Sequence, residues 1–420
     1  MVLVPFIYFT ILTLYWWKKH QQIDVCVYMS GLYAISALCA VIIVTQNMLD
    51  AGGVLFDQTD IELNFTPTIV FCTLHTFCLL PFSMIYNKEL NQITPNGQKV
   101  LFYFTLLLIF VGFINFYLVF DSTLEILQGD LSTIRSDHYK GIMSPAQIKA
   151  QSMPSILGYI YYLNVSTMLA IPIFFYYISF EKRHWLWNAL VFFTSLSVPL
   201  AGIQMADRTE IMLYIQMFIF CLIFFRKLMP QKVKRIVKIS LIPACIILVT
   251  YVTAVSVARF DKREGGATES VIQYAGQGYL NFCFFWEHGK SDYIATEREF
   301  PFINHAIKKI DSTPERRAER SGQQGFFISV FPTYLGDIML DISIWGMLIW
   351  SIFFFLTSML VIKASHRESI SIGEMIGIFV CAVVPVFGIF YYRYFYYTYT
   401  FLLIIALTIY ISSKIKLVIK

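Results

Sequence analysis

The chain has 420 residues, of which 57% are hydrophobic and 14% are charged, and its mean hydropathy is +0.63. Soluble domains carry about 25% charged residues, so this composition excludes a protein that faces water over its whole surface and predicts an all-α, multi-pass membrane protein. The net charge of +5 is modest, and no basic segment interleaved with aromatic residues indicates a nucleic-acid groove.

A helix needs about 20 mainly apolar residues to cross a membrane. Eleven apolar runs follow one another along the chain, and the sixth, seventh and eleventh are short. They are residues 2–17, 25–45, 66–85, 100–120, 156–180, 185–201, 211–225, 239–257, 342–362, 375–391 and 398–411. The first run lacks the preceding basic residues and the cleavage site of a signal peptide, so we expect it to be retained. With no internal repeat, we expect one transmembrane helical domain over residues 1–420.

The distribution of charge predicts which side of the membrane each connection faces. One set of alternate connections carries 17 basic and 5 acidic residues, and the other carries 15 basic and 22 acidic residues. Because cytoplasmic connections are enriched in lysine and arginine, the first set is predicted to be cytoplasmic. The predicted topology has the N-terminus outside and the C-terminus inside. A large extracytoplasmic loop, residues 259–325, then lies between spans eight and nine.

Arginines collect at the predicted outer ends of the spans. Arg208 begins the seventh span, Arg259 ends the eighth with Arg263 behind it, and Arg393 lies between the last two. A guanidinium group can bind phosphate oxygens in a bidentate manner, and we interpret Arg208 and Arg259 as ligands of a lipid-linked diphosphate and Arg263 as a further substrate-binding residue. The alternative is an arginine that extends to the lipid headgroups. For Arg393 this alternative is narrowly preferred, although Arg393 stays among the predicted substrate-binding residues.

Acidic and histidine side chains near the large loop are the candidates for proton transfer. Glu287 and His288 lie in a Trp-Glu-His-Gly segment, and a histidine can accept a proton near neutral pH. The alternative for His288 is an exposed loop histidine without a catalytic role. Asp337 and Asp341 are four residues apart, on one helical face. They are interpreted either as ligands of a cation or glycan or as acidic residues that favour a helix N-terminus.

Within the apolar runs, His75 is the one deeply placed titratable group, and we expect a neutral imidazole bonded to a neighbouring threonine or backbone carbonyl. Seven of the eight cysteines also fall inside apolar runs, and none forms a Cys-x-x-Cys pair. We therefore predict no metal site and no cofactor.

Three segments resemble the O-antigen polymerase (Wzy) family of oligosaccharide repeat-unit polymerases. The hairpin from Ala201 to Glu210, Ala-Gly-Ile-Gln-Met-Ala-Asp-Arg-Thr-Glu, is similar to the arginine-bearing turn of that family. The segment from Tyr274 to Phe282, Tyr-Ala-Gly-Gln-Gly-Tyr-Leu-Asn-Phe, resembles its Tyr-x-Gly…Asn-Phe segment. The segment from Phe331 to Gly346, Phe-Pro-Thr-Tyr-Leu-Gly-Asp-Ile-Met-Leu-Asp-Ile-Ser-Ile-Trp-Gly, resembles the family's membrane re-entrant segment. Many spans with one long, late outer loop extend the likeness to the whole chain.

The resemblance implies a membrane glycosyltransferase in the bacterial cytoplasmic (inner) membrane. It would polymerise undecaprenyl-diphosphate-linked oligosaccharide repeat units into O-antigen, capsule or exopolysaccharide, with lipid-linked donor and acceptor as partners and with a chain-length regulator protein as a further expected partner. On this hypothesis Tyr274 and Asn281 also bind substrate, while His288, Glu287 or Asp337 takes part in catalysis. The alternatives are an O-antigen ligase, a lipid-linked glycan flippase or other transporter, and an acyltransferase using His75.

Overall fold

A computed structural model of the chain describes most of its apolar helices and their connections. The residues described are 1–48, 61–86, 92–94, 97–128, 155–181, 183–204, 208–235, 266–289, 330–363, 369–395 and 398–414, with a few isolated positions between them. The helices are α1 (Leu3–His20), α2 (Val25–Thr45), α3 (Phe65–Tyr86), α4 (Gln98–Gln128), α5 (Ser155–Tyr162), α6 (Ala170–Ser179), α7 (Trp185–Ser195), α8 (Ser197–Gln204), α9 (Thr209–Phe224), α10 (Gly266–His288), α11 (Thr333–Lys363), α12 (Ile372–Phe387) and α13 (Tyr399–Lys414). Two short strands, β1 (Gln92–Thr94) and β2 (Ser369–Ser371), complete these elements.

Seven helices in the described part of the chain are long and apolar enough to cross a membrane. They cover Val25–Thr45, Phe65–Ile85, Gln98–Phe120, Tyr159–Ser179, Trp185–Ile203, Thr209–Lys227 and Thr333–Lys363. The fourth range joins α5 to α6 and the fifth joins α7 to α8. Helices α12 and α13 are apolar but shorter. The expectation of an all-α, multi-pass membrane protein is thereby confirmed. Most of the eighth predicted run, residues 239–257, lies outside the described residues.

The chain divides into two compact units and passes from one to the other five times, once within α12. The first unit comprises residues 1–87, 260–363 and 381–397, and the second comprises residues 88–259, 364–380 and 398–420.

In the first unit, α1 and α2 form a hairpin against which α3 and α10 pack. The carboxylate of Asp24 begins α2 by accepting hydrogen bonds from the backbone amides of Cys26 and Val27, each at 3.0 Å. Such a cap satisfies amides that have no partner within the helix. Further along, the Ser36 hydroxyl donates to the backbone oxygen of Ala275 in α10 at 2.7 Å. Helix α2 therefore supports α10 directly.

Helix α10 occupies much of the described part of the predicted outer loop, where the sequence analysis expected a polar loop. Near its start, Gln273 donates to the backbone oxygen of Met48, beyond the end of α2, at 2.9 Å. At its other end, Glu287 accepts from Asn64, just before α3, at 3.0 Å. The buried face carries Gln273, Gln277 and Asn281 at four-residue spacing. A search for apolar runs misses such a helix because amides interrupt its buried face.

Helix α11 contains a break at Ser343, whose φ of 80° and ψ of 170° are not helical. The predicted span starts at residue 342, and the structure adds a half-helix, Thr333 to Ile342, that begins immediately after Pro332. Every residue from Thr333 to Asp341 is buried. Beyond the break, Trp345, Ile349 and other large apolar side chains are exposed, as expected for a lipid-facing helix.

In the second unit, the strands β1 and β2 form a parallel pair in which Ile93 lies opposite Ile370. After β2, the backbone amide of Ser371 donates to Glu374 at 2.8 Å, and the amide of Glu374 donates to the Ser371 hydroxyl at 3.2 Å. This reciprocal cap starts α12. Glu374 also forms an ion pair with Lys414 at the end of α13.

Candidate functional site

Six predicted site residues that the structure describes belong to elements of the first unit, and four of them lie where these elements meet. Tyr274 and Asn281 lie on α10, Asp337 lies on the half-helix of α11, and Arg393 lies in the short 3-10 turn Arg393–Phe395 after α12. We call the buried region where α10, the half-helix and residues 388–393 meet the polar junction.

Backbone hydrogen bonds join the half-helix to the segment that follows α12. The amide of Thr333 donates to the backbone oxygen of Phe390 at 2.9 Å, and the amide of Tyr334 donates to that of Gly388 at 3.0 Å. These bonds satisfy donors at the start of a helix, which have no partner within it. One turn later, the carboxylate of Asp337 accepts from the amide of Tyr392 at 2.7 Å. The half-helix is thus bonded to this segment at three points.

Glycines allow the backbones at the polar junction to approach closely. A Cβ atom added to Gly278 on α10 would lie 2.6 Å from the backbone oxygen of Ile389 and 2.9 Å from a methyl carbon of Thr333. A Cβ added to Gly388 would overlap the ring of Tyr334. Larger residues at either position would force the three elements apart.

Two amide side chains of α10 hold the backbone just before the half-helix. Asn281 donates to the side-chain oxygen of Gln277 at 3.2 Å and to the backbone oxygen of Phe331 at 3.3 Å. The backbone amide of Phe331 donates to the same Gln277 oxygen at 3.5 Å. Bonds to Phe331 of this length are weak, because ordinary N–H···O distances are about 2.9–3.0 Å.

Among the buried polar atoms of the junction that have no hydrogen-bond partner in the described part of the chain, three lie on residues next to Gly278 and Phe331. They are Nε2 of Gln277, Oδ1 of Asn281 and Oγ1 of Thr333, on side chains that are at most 1% exposed. Leaving a buried polar atom without a partner costs about 1–3 kcal/mol. The junction therefore presents an unused donor, an unused acceptor and a hydroxyl group.

Aromatic rings line the junction around Phe331. Its ring is stacked on that of Tyr391, with the centroids 5.4 Å apart, and contacts the rings of Tyr274 at 5.3 Å and Phe390 at 5.8 Å. The Tyr274 ring therefore packs against the residue that bonds to Gln277 and Asn281.

Arg393 is buried rather than extended towards lipid headgroups, and only 2% of it is exposed. Its Nη1 donates to the Tyr391 hydroxyl at 2.6 Å, and its guanidinium carbon lies 5.7 Å from the ring centroid of Phe387. The narrowly preferred interpretation of an interfacial arginine is therefore wrong. Aromatic faces attract a guanidinium group, and here they enclose it.

Glu287 and His288 lie at the C-terminal end of α10, where both are exposed. Glu287 accepts from Asn64, as described above, and the His288 ring lies 4.6 Å from that of Phe284. The two side chains lie at the surface of the first unit, where a substrate can reach them.

Buried titratable groups on α10 are held in their neutral forms. Burial raises the pKa of the Cys283 thiol to about 12, and burial also raises the pKa of Tyr279. The Tyr279 hydroxyl lies 2.7 Å from that of Thr68. A thiol with so high a pKa is a poor nucleophile at neutral pH.

The remaining predicted residues lie elsewhere. Arg208 is the residue before α9 in the second unit, and it is partly buried. Arg259 and Arg263 lie outside the described residues.

The His75 ring bonds to the backbone within its own helix. Its Nδ1 lies 2.7 Å from the backbone oxygen of Phe71, and a backbone carbonyl is one of the two partners predicted for it. Among the described residues, no group of three or more His, Cys, Asp or Glu side chains is placed to hold a metal ion.

Compared with protein-family models, curated proteins and solved structures, the chain finds no match.

Two residues of the polar junction, Gln277 and Thr333, are not among the site residues predicted from the sequence. Both lie inside segments that resemble the polymerase family, but nothing in those segments distinguishes them from their neighbours. The spacing of Gln273, Gln277 and Asn281 was the available signal, because residues four apart share one face of a helix.

Proposed function

We propose that the protein is a membrane glycosyltransferase that polymerises undecaprenyl-diphosphate-linked oligosaccharide repeat units into a surface polysaccharide. The observation that carries this proposal is the contact between two segments that resemble the O-antigen polymerase family. The segment beginning at Tyr274 and the segment beginning at Phe331 are distant in sequence, yet Asn281 bonds to the backbone of Phe331. Two segments that the resemblance assigns to the same substrate are thereby adjacent.

The proposed reaction joins an acceptor hydroxyl to the anomeric carbon of the lipid-linked donor. The new bond forms as the bond from the anomeric carbon to the diphosphate breaks, and undecaprenyl diphosphate leaves with the bonding electrons. The acceptor hydroxyl loses its proton to a base, for which exposed Glu287 and His288 are the candidates. Positioning the two substrates and stabilising the departing charge are then the main tasks of the protein.

The arginines have different proposed roles. Arg208 precedes the N-terminus of α9, where the helix dipole adds to the attraction for an anion. We assign Arg208, with Arg259 and Arg263, to the diphosphate. Arg393 is enclosed by aromatic rings, and Asp337 bonds to the adjacent residue Tyr392. We therefore assign Asp337 a positioning role at the turn that carries Arg393, instead of the proton transfer first expected.

The proposal includes a location and a topology. The chain would cross the bacterial cytoplasmic membrane eleven times, with its N-terminus outside, its C-terminus inside and residues 259–325 on the outer side. The charge distribution between alternate connections supports this arrangement. A chain-length regulator would be a further partner at the outer face.

The test uses the source strain with the gene for this chain deleted. Wild-type protein is expected to restore a ladder of long polysaccharides, whereas Arg208→Ala is expected to shorten or abolish it at an equal protein level. Ser166→Ala, a change at a buried hydroxyl of the second unit, is the control. Purified protein incubated with lipid-linked repeat units would separate a polymerase from a ligase by product length. A ladder unchanged by deletion of the gene would contradict the proposal.

A second candidate function, transport of a lipid-linked glycan, is favoured by the break in α11. Transporters often place discontinuous helices at their substrate sites, and the half-helix before Ser343 carries two buried carboxyl groups, Asp337 and Asp341. Purified protein in vesicles would distinguish the two functions. A transporter moves the lipid-linked unit between leaflets without lengthening it, whereas a polymerase lengthens it.

A further inference from the structure

Two buried amide side chains of α10, Gln277 and Asn281, have polar atoms that form no hydrogen bond in the described part of the chain. Gln277 and Asn281 bond to each other and to Phe331, but each retains one buried side-chain atom without a partner. Thr333, on the half-helix, packs against Gly278 of α10. Its hydroxyl also has no hydrogen-bond partner in the described part of the chain. Buried polar groups in native proteins are nearly always bonded, so three such atoms on residues that pack around Gly278 and Phe331 indicate a missing partner.

We propose that Gln277, Asn281 and Thr333 form a binding site for a neutral group of the saccharide that both accepts and donates hydrogen bonds. The Gln277 amide nitrogen would donate to this group, the Asn281 oxygen would accept from it, and the Thr333 hydroxyl can do either. A ring hydroxyl and an acetamido group both meet this description. This inference rests on the proposed function, because the saccharide is that of the lipid-linked repeat unit.

The charge and surroundings of the site favour a neutral sugar group over an ion. Gln277, Asn281 and Thr333 carry no charge, and their unused atoms include both a donor and an acceptor, a combination that suits a neutral group better than an ion of either sign. The ring of Tyr274 lies beside Phe331 and offers an apolar surface to the carbon face of a sugar.

Phe331 is the residue that the ligand would displace. Its backbone oxygen accepts from Asn281 at 3.3 Å, and its backbone amide donates to Gln277 at 3.5 Å. Both bonds are longer than ordinary ones. The residue lies next to Pro332 and the half-helix, whose first residue, Thr333, has a φ of 66°. Ligand binding would exchange two weak bonds to Phe331 for bonds to the saccharide, and the unpartnered atoms would gain partners at the same time.

The test uses Thr333→Val, which removes the hydroxyl while keeping the shape of the side chain. Purified wild-type and variant proteins would be titrated with lipid-linked repeat unit extracted from the deletion strain. The measurements are the rate of chain elongation and the shift in unfolding temperature on adding the unit. Thr333→Ser keeps the hydroxyl and serves as the conservative variant, and Ser166→Ala, at a buried hydroxyl in the second unit that also lacks a hydrogen-bond partner in the described part of the chain, is the matched control.

We expect Thr333→Val to raise KM about fivefold, which corresponds to one lost neutral hydrogen bond, with a smaller change in kcat. Its unfolding temperature without ligand should equal or exceed that of wild type, because the hydroxyl has no partner to lose. Thr333→Ser should stay within about twofold of the wild-type KM. A lower unfolding temperature for Thr333→Val with an unchanged KM would show a purely structural hydroxyl and overturn the inference.

Different results would contradict the saccharide site and the polymerase function. If the lipid-linked unit stabilises wild type and not Thr333→Val, but no chain grows, the site stands and the polymerase function is wrong. If chains grow equally well on both proteins with the same KM, the function stands and the site is wrong. Free N-acetylglucosamine and glucose serve as probes of the group bound: a larger stabilisation by the first assigns the acetamido group, and equal stabilisation assigns ring hydroxyls.

Discussion

The carboxylate of Asp337 lies 2.7 Å from the backbone nitrogen of Tyr392 and accepts its hydrogen bond. Asp337 is fully buried, so the bond forms away from water. It fixes the half-helix of α11 to the residue next to Arg393. The bond thereby fixes the position of Asp337, on the half-helix, relative to the turn that carries Arg393.

Replacement of Asp337 tests this positioning role. Asp337→Ala leaves the Tyr392 amide without this acceptor, and we expect the free energy of unfolding to fall by about 1–3 kcal/mol. Asp337→Asn keeps an acceptor oxygen and should cost less. Thermal unfolding of the purified protein, followed by tryptophan fluorescence, measures both changes. If Asp337→Asn retained wild-type stability but abolished chain elongation, proton transfer by Asp337 would replace the positioning role.

The sequence predicts the simple helices of this protein well, because apolar runs report directly on burial in lipid. The predicted run 25–45 coincides with α2, and the predicted run 66–85 differs from α3 by one residue at each end. Both helices are bounded by polar residues, such as Asp24 and Asn64, so the apolar signal ends where the helix ends.

The polar junction could not be assembled from the sequence, because its parts depend on tertiary contacts. Part of the buried face of α10 consists of amides, which resemble loop residues until Met48 and Phe331 provide their partners. The break at Ser343 has no signal either, since serine is not a residue that marks left-handed backbone. Arginine near a span end is usually exposed to headgroups, and only the rings of Phe387 and Tyr391 show that Arg393 is enclosed.

Close packing at Gly278 is tested by Gly278→Ala. The added Cβ would lie 2.6 Å from the Ile389 oxygen, and we expect a loss of about 1–3 kcal/mol in the free energy of unfolding. Gly31→Ala in α2 is the matched control, because its Cβ would meet nothing within 4 Å. That change should leave stability unchanged or raise it slightly, since alanine favours helix by about 1 kcal/mol over glycine. Equal effects of the two substitutions on the unfolding temperature would contradict the proposed packing.

Backbone strain at Ser343 predicts that glycine is tolerated better than alanine there. The observed φ and ψ lie in a region used almost only by glycine, at a cost of about 1–3 kcal/mol for other residues. The Ser343 hydroxyl accepts from the amide of Gly346 at 3.3 Å. Ser343→Gly loses this weak cap but relieves the strain, for an expected net gain of about 1 kcal/mol.

Ser343→Ala is the control for that prediction. It loses the cap and keeps the strain, so its unfolding temperature should fall below that of wild type. Chemical or thermal unfolding in detergent would rank the three proteins. An order in which Ser343→Gly is the least stable would show that the break is not strained.

The placement of α10 is tested by thiol labelling. Cys283 is fully buried on α10, and its pKa of about 12 leaves almost no reactive thiolate at neutral pH. His288, one turn further along, is exposed, so a thiol introduced by His288→Cys should react quickly. Intact cells would be treated at pH 7.5 with a maleimide that cannot cross the membrane, and mass spectrometry would locate the label. We expect modification of the introduced thiol and protection of Cys283. Rapid labelling of Cys283 in the folded protein would show an open loop in place of the packed helix, whereas protection of both thiols until the cells are lysed would place this end of α10 on the cytoplasmic side.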